Sequence, residues 1–180
     1  EPFEEGLEAE VKTALDCDPA SWDIMVAPAH GDHFEAWWMA ALAAMQAQTR
    51  IAYAVRRRSD GAVVGTTSLY EINPAYRRCE IGSTFYRPEA RGEAINPACK
   101  RLLLGHAFDA GAVRVEIVTD AVNAHSQAAI LKLGAKAEGV LRKHKITWTG
   151  RARDTAMFAV IDDDWAEVRQ TLDRRLTAFD

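Results

Sequence analysis

Residues 87–108 constrain the fold of this 180-residue chain more than any other segment. They read as a strand end, a turn containing Gly92, and a helix with Asn96 as N-cap and Pro97 at the first helical position. The first N–H groups of a helix lack intrahelical partners, and the helix dipole adds about half a positive charge there. The segment therefore predicts an anion site that Arg91 could reinforce. Taken alone, the segment is more typical of a plain strand-to-helix turn with a solvated arginine.

Composition limits the partners of the chain. Lysine and arginine total 22 against 26 acidic residues, giving a net charge of −4, so no overall basic field recruits nucleic acid or an anionic membrane. The longest apolar run, at residues 36–45, is too short to span a bilayer, and no signal peptide precedes it. The three cysteines lack C-x-x-C spacing, which indicates a reducing compartment and no metal site. We expect a cytoplasmic protein that binds neither nucleic acid nor membrane directly.

Hydrophobic periodicity predicts one domain over residues 1–180, without repeats or linkers. Because the sequence begins at Glu1 without an initiator methionine, a leading segment such as a first edge strand could be missing. Helices are predicted at residues 4–15, 33–48, 97–110, 126–133 and 163–179. Strands are predicted at residues 50–58, 62–72, 76–86, 113–119, 139–147 and 154–161. An antiparallel meander followed by β-α-β-α units predicts an α/β (α+β) fold: a mixed, largely antiparallel sheet flanked by helices.

The turn at residues 91–96 resembles the pyrophosphate-binding signature Q/R-x-x-G-x-G/A of the Gcn5-related N-acetyltransferase (GNAT) superfamily. Arg91 fits its first position, while Ala94 and Asn96 stand at the two small positions. The resemblance implies that the cofactor is acetyl-CoA. It also implies that its pyrophosphate is bound by Arg91, Gly92, Glu93, Ala94, Ile95 and Asn96.

Further segments follow in the order that this superfamily uses. They are residues 80–86, 100–108, 123–126, 133–135 and 138–142, and together they resemble the ribosomal-protein N-terminal acetyltransferase (Rim-type) branch. The resemblance runs from about Ile51 to Trp165. It implies that two central strands splay apart and that the pantetheine arm lies in the opening, paired with the backbone of Phe85 and Tyr86.

Two residues after the fourth strand are candidates for contact with the cofactor sulfur. By the same resemblance, Asn123 orients pantetheine and Ser126 donates a proton to the leaving thiolate. From the residues alone, Asn123 is an N-cap and Ser126 lies in the first helical turn. The two interpretations are compatible.

The general base is less well defined by the sequence. Lys145 stands where a Rim-type enzyme can carry a catalytic glutamate, so that role does not transfer. Glu80 and His144 remain as candidate bases, since a histidine titrates in the useful range. Alternatively, Glu80 pairs with Arg77 or Arg114, His144 is an exposed strand residue, and solvent takes the proton.

The expected reaction is acetyl transfer to a primary amine by direct attack in a ternary complex. An N-terminal α-amine has a pKa of about 7.7 to 8.0, so part of it is neutral near physiological pH and a protein N-terminus is a suitable acceptor. A non-catalytic acyl-CoA-binding module and an acetyltransferase for a small amine, such as an antibiotic or polyamine, are the alternatives. The expected partner is an amine-bearing peptide or small molecule, with a homodimer as a candidate assembly.

Overall fold

A six-stranded sheet with helices on both faces forms the protein. The structure, a computed structural model, describes residues 1–179, so Asp180, the last residue of the expected domain, lies outside the described residues. The strands are β1 Arg50–Arg56, β2 Val63–Asn73, β3 Arg78–Tyr86, β4 Arg114–Asp120, β5 Lys136–Ile146 and β6 Ala152–Ile161. The helices are α1 Glu8–Leu15, α2 Phe34–Gln46, α3 Ile95–Asp109, α4 Ala124–Leu133 and α5 Asp162–Thr177.

The strand order is β1-β2-β3-β4-β6-β5, and every neighbouring pair is antiparallel except β3 and β4. The first three residues extend the sheet, because Phe3 N–H donates to the Ala52 carbonyl and Ala54 N–H to the Glu1 carbonyl. The predicted mixed, largely antiparallel sheet flanked by helices is confirmed.

The two central strands separate after a short contact. β3 and β4 pair only where Arg78, Cys79 and Glu80 face residues 114–116, whereas β4 stays paired with β6 as far as Asp120. At Ser83 the φ angle is +48° and the register between β2 and β3 shifts, which marks a bulge. A bulge bends its strand and raises the local twist, and here it lies where β3 leaves β4.

The faces of the sheet carry different helix layers. On one face α3, α4 and α5 cover a core that includes Ile81, Leu104 and Val115. On the other, α1 and α2 cover a second core that includes Val11 and Trp38. We call the second side the acceptor face. None of the described helices is long and apolar enough to cross a membrane.

Some predicted boundaries shift for local reasons. β5 begins at Lys136, three residues before the predicted start, because a bulge at Gly139, with φ of +140°, interrupts its alternation. α4 ends at Leu133, as predicted, where Gly134 adopts a φ of +106° that few side chains tolerate.

Candidate active site

The edge of β3 beyond Glu80 offers backbone groups to the opening between β3 and β4. A Cβ at Gly65 of β2 would overlap the Phe85 carbonyl oxygen, and Arg87 N–H donates to the Val64 carbonyl, so residues 85 and 87 face β2. Because backbone groups alternate along a strand, those of Thr84 and Tyr86 face the opening. Of the two residues expected to pair with pantetheine, Tyr86 therefore turns its backbone to the opening and Phe85 does not.

Helix α3 follows the turn after β3, and its N-terminus has no side-chain cap within residues 1–179. The helix begins at Ile95, since Ala94 already has helical angles, and no side chain among the described residues caps it. The prediction that Asn96 is the N-cap is wrong, because Asn96 is the second residue of α3. Gly92 has a φ of +81° and nothing lies within 4 Å of its missing Cβ. The first N–H groups of this 15-residue helix are therefore available to an anion, which fits a pyrophosphate.

The side chain of Arg91 ties this turn to the loop after α1. Its Nη2 lies 2.7 Å from Oδ2 of Asp18, and its Nε donates to the Tyr86 carbonyl at 2.8 Å. Hydrogen bonds from Ser21 and then from Arg91 lower the pKa of the Asp18 carboxyl. The charge expected to clamp the anion is thus shared with a carboxylate, which leaves the backbone N–H groups as the main anion donors.

Asn123 caps α4 at the carboxyl end of β4. Its Oδ1 accepts a hydrogen bond from the backbone N–H of Ser126 at 3.0 Å, so the capping interpretation is confirmed. Ser126 is half-buried, and its hydroxyl makes no hydrogen bond with any other described residue. The hydroxyl is therefore free to donate to a bound ligand.

A row of polar side chains crosses the acceptor face at the point where β3 and β4 separate. Arg50, Tyr70, Glu80 and Glu116 are successive register neighbours on β1, β2, β3 and β4. Directly opposed residues share one face of a sheet, so the four side chains lie side by side.

Glu80 is the buried member of this row, only 5% exposed, and it accepts a hydrogen bond from the Tyr70 hydroxyl. Burial raises the pKa of Glu80, while the Tyr70 hydrogen bond and the Lys145 charge oppose the shift. Burial and the charge of Glu80 raise the pKa of Tyr70. A buried carboxyl whose pKa is raised is a stronger base than an ordinary glutamate, and this one lies where the opening begins.

The ion pairs considered for Glu80 are not formed. Arg77 donates to the Gly111 carbonyl, and Arg114 pairs with Glu116 and Glu138. Tyr70 takes their place as the partner of Glu80.

His144 lies on the outer strand β5, and its side chain is exposed. It makes no side-chain hydrogen bond or ion pair within residues 1–179. Its neighbour Lys145 is half-buried and pairs in register with Arg153 of β6. The structure therefore brings Glu80 to the opening and leaves His144 at the outer edge of the sheet.

Residues 1–136 match a family model described as an acetyltransferase (GNAT) domain. The chain belongs to the GNAT acetyltransferase family. Members of this family use acetyl-CoA, and the chain is an acetyl-CoA-dependent acetyltransferase. No curated protein matches its sequence.

Solved structures extend the likeness over nearly the whole acetyltransferase. A GCN5-related N-acetyltransferase from Brucella melitensis is 27% identical with a TM-score of 0.87, covering 98% of this chain and 80% of that one. A putative acetyltransferase from T. thermophilus is 28% identical with a TM-score of 0.84, covering 98% and 92%. Mycobacterium smegmatis RimJ, solved with CoA-disulfide, is 20% identical with a TM-score of 0.80, covering 98% and 86%, a likeness of fold.

Lys100 of the acetyltransferase was not singled out from the sequence. It lies on α3, is 5% exposed, and donates from Nζ to Oγ1 of Thr84 at 3.1 Å. Burial lowers its pKa to about 8. Its position three and four residues before the buried Leu103 and Leu104 is the helical signal that could have found it.

Aromatic side chains close the acceptor face of the acetyltransferase near the end of β3. Trp22 stacks on Phe85 with ring centroids 4.9 Å apart. Trp148, in the turn between β5 and β6, donates from Nε1 to the Trp22 carbonyl at 2.8 Å and lies 5.2 Å from the His33 ring. This turn and the connection between α1 and α2 form one wall beside the opening.

Proposed function

We propose that this acetyltransferase modifies a primary amine, with the α-amine of a protein or peptide N-terminus as the leading acceptor class. The observation that carries the proposal is the buried Glu80 carboxylate, bonded to Tyr70 where β3 leaves β4. The Rim-type resemblance and the fold likeness to RimJ support an N-terminal acceptor.

The chain has groups suited to each part of the cofactor. The backbone of Thr84 and the N–H group of Tyr86 suit the amide-bearing pantetheine arm, since the Tyr86 carbonyl already accepts from Arg91. The uncapped start of α3 suits the pyrophosphate. In the proposed site, residues 91–96 form the turn around that pyrophosphate, and Asn123 holds α4 so that Ser126 faces the opening.

Glu80 and Ser126 divide the proton transfers between them. Acetyl-CoA supplies the acetyl thioester. Glu80 takes the proton that the amine nitrogen loses as it forms its new bond to the acetyl carbon. Ser126 donates a proton toward the sulfur as the carbon–sulfur bond breaks. We prefer Glu80 to His144 as the base because Glu80 is buried at the opening and His144 is exposed.

A small-molecule amine is the second candidate acceptor. The turn carrying Trp148 is bonded to the Trp22 carbonyl, and this contact narrows the acceptor face beside Phe85. A narrow site favours a small amine or a single N-terminal residue over a folded surface.

The remaining assignments follow from the same features. We place residues 1–180 in one domain, because one sheet carries both helix layers. A homodimer stays a prediction from the sequence.

Isothermal titration with acetyl-CoA, followed by mass spectrometry of a panel of amines, tests the proposal. We expect acetyl-CoA to bind at micromolar to millimolar concentration and peptides with free N-termini to gain one acetyl group. Absence of binding at millimolar acetyl-CoA would contradict the proposed site. Binding with acetylation of lysine side chains alone would contradict the proposed acceptor.

A further inference from the structure

Arg153 on β6 is a buried cation that pairs with no other side chain of residues 1–179. Its side chain belongs to a residue only 7% exposed, and its Nε is buried without a hydrogen-bond acceptor. Within the described residues its guanidinium forms no ion pair. Burying a guanidinium is unfavourable unless an anion or acceptors replace its water. The missing partner of Arg153 is therefore a candidate ligand.

Thr155 repeats the pattern two residues further along the strand. It is fully buried, and its Oγ1 also lacks a hydrogen-bond partner. Ala156 and Phe158 pack into the core under α3, α4 and α5. Because successive side chains alternate, Arg153 and Thr155 belong to the acceptor face. Two unpartnered polar groups thus share one side of β6.

The charge of Arg153 acts on the polar row that contains Glu80. Burial and the Glu80 charge raise the pKa of Tyr70, and the Arg153 charge opposes that shift. The register gives the same placement, because Thr155 lies opposite Asp120 at the end of β4 that borders the opening.

Arg50 supplies a second positive charge on the other side of Tyr70. It donates to Oγ of Ser68 at 3.0 Å and to Oγ of Ser83 at 3.1 Å, and among the described residues it pairs with no carboxylate. Arg50 and Tyr70 line a cavity of about 410 Å³. Arg50 and Arg153 therefore both act on Tyr70, the hydrogen-bond partner of Glu80, and within residues 1–179 neither arginine pairs with a carboxylate.

We propose that the acceptor amine also carries an anionic oxygen group, a carboxylate or a phosphate, and that Arg153 and Thr155 bind this group. Guanidinium and hydroxyl donors suit such oxygens, and an anion would satisfy the polar atoms that the fold leaves unpartnered. A purely cationic acceptor such as a polyamine would meet like charge from both arginines. This inference rests on the proposed function, since it names the acceptor class of the same site.

Matched amines test the anionic group directly. β-Alanine, its neutral carboxamide and 2-aminoethylphosphonate share a two-carbon spacer and separate carboxylate from phosphonate recognition. The amide-capped peptides Ala-Glu-Ala and Ala-Gln-Ala make the same comparison at an N-terminal α-amine. We expect kcat/KM to favour an anionic member over its neutral partner by about ten-fold or more.

Three variants assign that preference to its residues. We expect Arg153→Met to reduce kcat/KM for the anionic amine to that for the neutral one, and Arg153→Lys to keep part of the preference. Thr155→Val should weaken it without changing side-chain volume much. Arg169→Met, on the exposed side of α5, is the control and should keep the wild-type preference.

Thermal melting separates failure of this inference from failure of the proposed function. We expect 2-aminoethylphosphonate or β-alanine to raise the Tm of the wild type but not of Arg153→Met, whether or not acetylation occurs. That result without acetylation of any amine would keep the anion site and contradict the proposed function. Three results would overturn the inference. The first is acetylation with equal kcat/KM for the charged and the neutral amine, and the second is an equal loss of kcat/KM for both amines in Arg153→Met. The third is the absence of an anion-dependent rise in Tm.

Discussion

The hydroxyl of Tyr70 donates a hydrogen bond to Oε1 of the buried Glu80, across the β2–β3 pair and next to the point where β3 parts from β4. This contact joins the candidate base to a neutral donor instead of a cation. Burial raises the pKa of this carboxyl, and the hydrogen bond from Tyr70 opposes that shift, as an arginine in the same place also would.

Removal of the Tyr70 hydroxyl should move the pH dependence of acetylation. The Tyr70 hydrogen bond lowers the pKa of Glu80 against the larger effect of burial, so Tyr70→Phe should raise that pKa further. Glu80 must be deprotonated to act as base, and the acidic limb of kcat/KM should therefore shift to higher pH. Measuring kcat/KM across pH with one amine checks this. If the acidic limb did not move, Tyr70 would not influence the group that acts as base.

Ser126 and Asn123 can be tested as a pair with distinct effects. Ser126→Ala keeps the cap, because Asn123 accepts from the Ser126 backbone N–H. If Ser126 donates the proton, kcat should fall by roughly 10²-fold while CoA affinity changes little. Asn123→Ala should instead lower stability by about 1 kcal/mol through loss of the cap. Steady-state kinetics and urea unfolding distinguish them, and an unchanged kcat in Ser126→Ala would leave that residue with a structural role only.

Lys100 should make stability depend on alkaline pH. Burial lowers its pKa from 10.5 to about 8 in the folded state, so the unfolded chain holds more protons between these values. Stability contributed by this group should therefore rise as pH increases from about 8 toward 10.5. Lys100→Met should abolish that rise in Tm. The same slope in wild type and variant would show that Lys100 is not responsible.

Local patterns were enough to predict much of the fold. Alternating strands, the turn at Gly92 and the helix-ending Gly134 are local signals that involve few residues, and each has a physical cause in backbone geometry. The cap at Asn123 was also recognisable, because its partner Ser126 lies three residues away. Asn96 failed as a cap because Ala94 adopts helical angles before it.

The contacts that form the site depend on register and on splaying of the sheet. Tyr70 reaches Glu80 only because the β2–β3 hairpin places them opposite each other, with register shifts on either side. Arg77 and Arg114 could have paired with Glu80 by charge. Instead, Arg77 donates to the Gly111 carbonyl and Arg114 pairs with Glu138. The burial of Arg153 depends on tertiary packing, which no local pattern specifies.

The pH profile of acetyl transfer by wild type and Glu80→Gln, with one amine and saturating acetyl-CoA, tests the central claim most directly. The account predicts that Glu80→Gln binds acetyl-CoA like the wild type but loses about 10²-fold or more in kcat, and lacks the acidic limb that Glu80 provides. Any limb from the amine itself should persist in both proteins. Equal kcat values and identical pH profiles would contradict the assignment of Glu80 as the base.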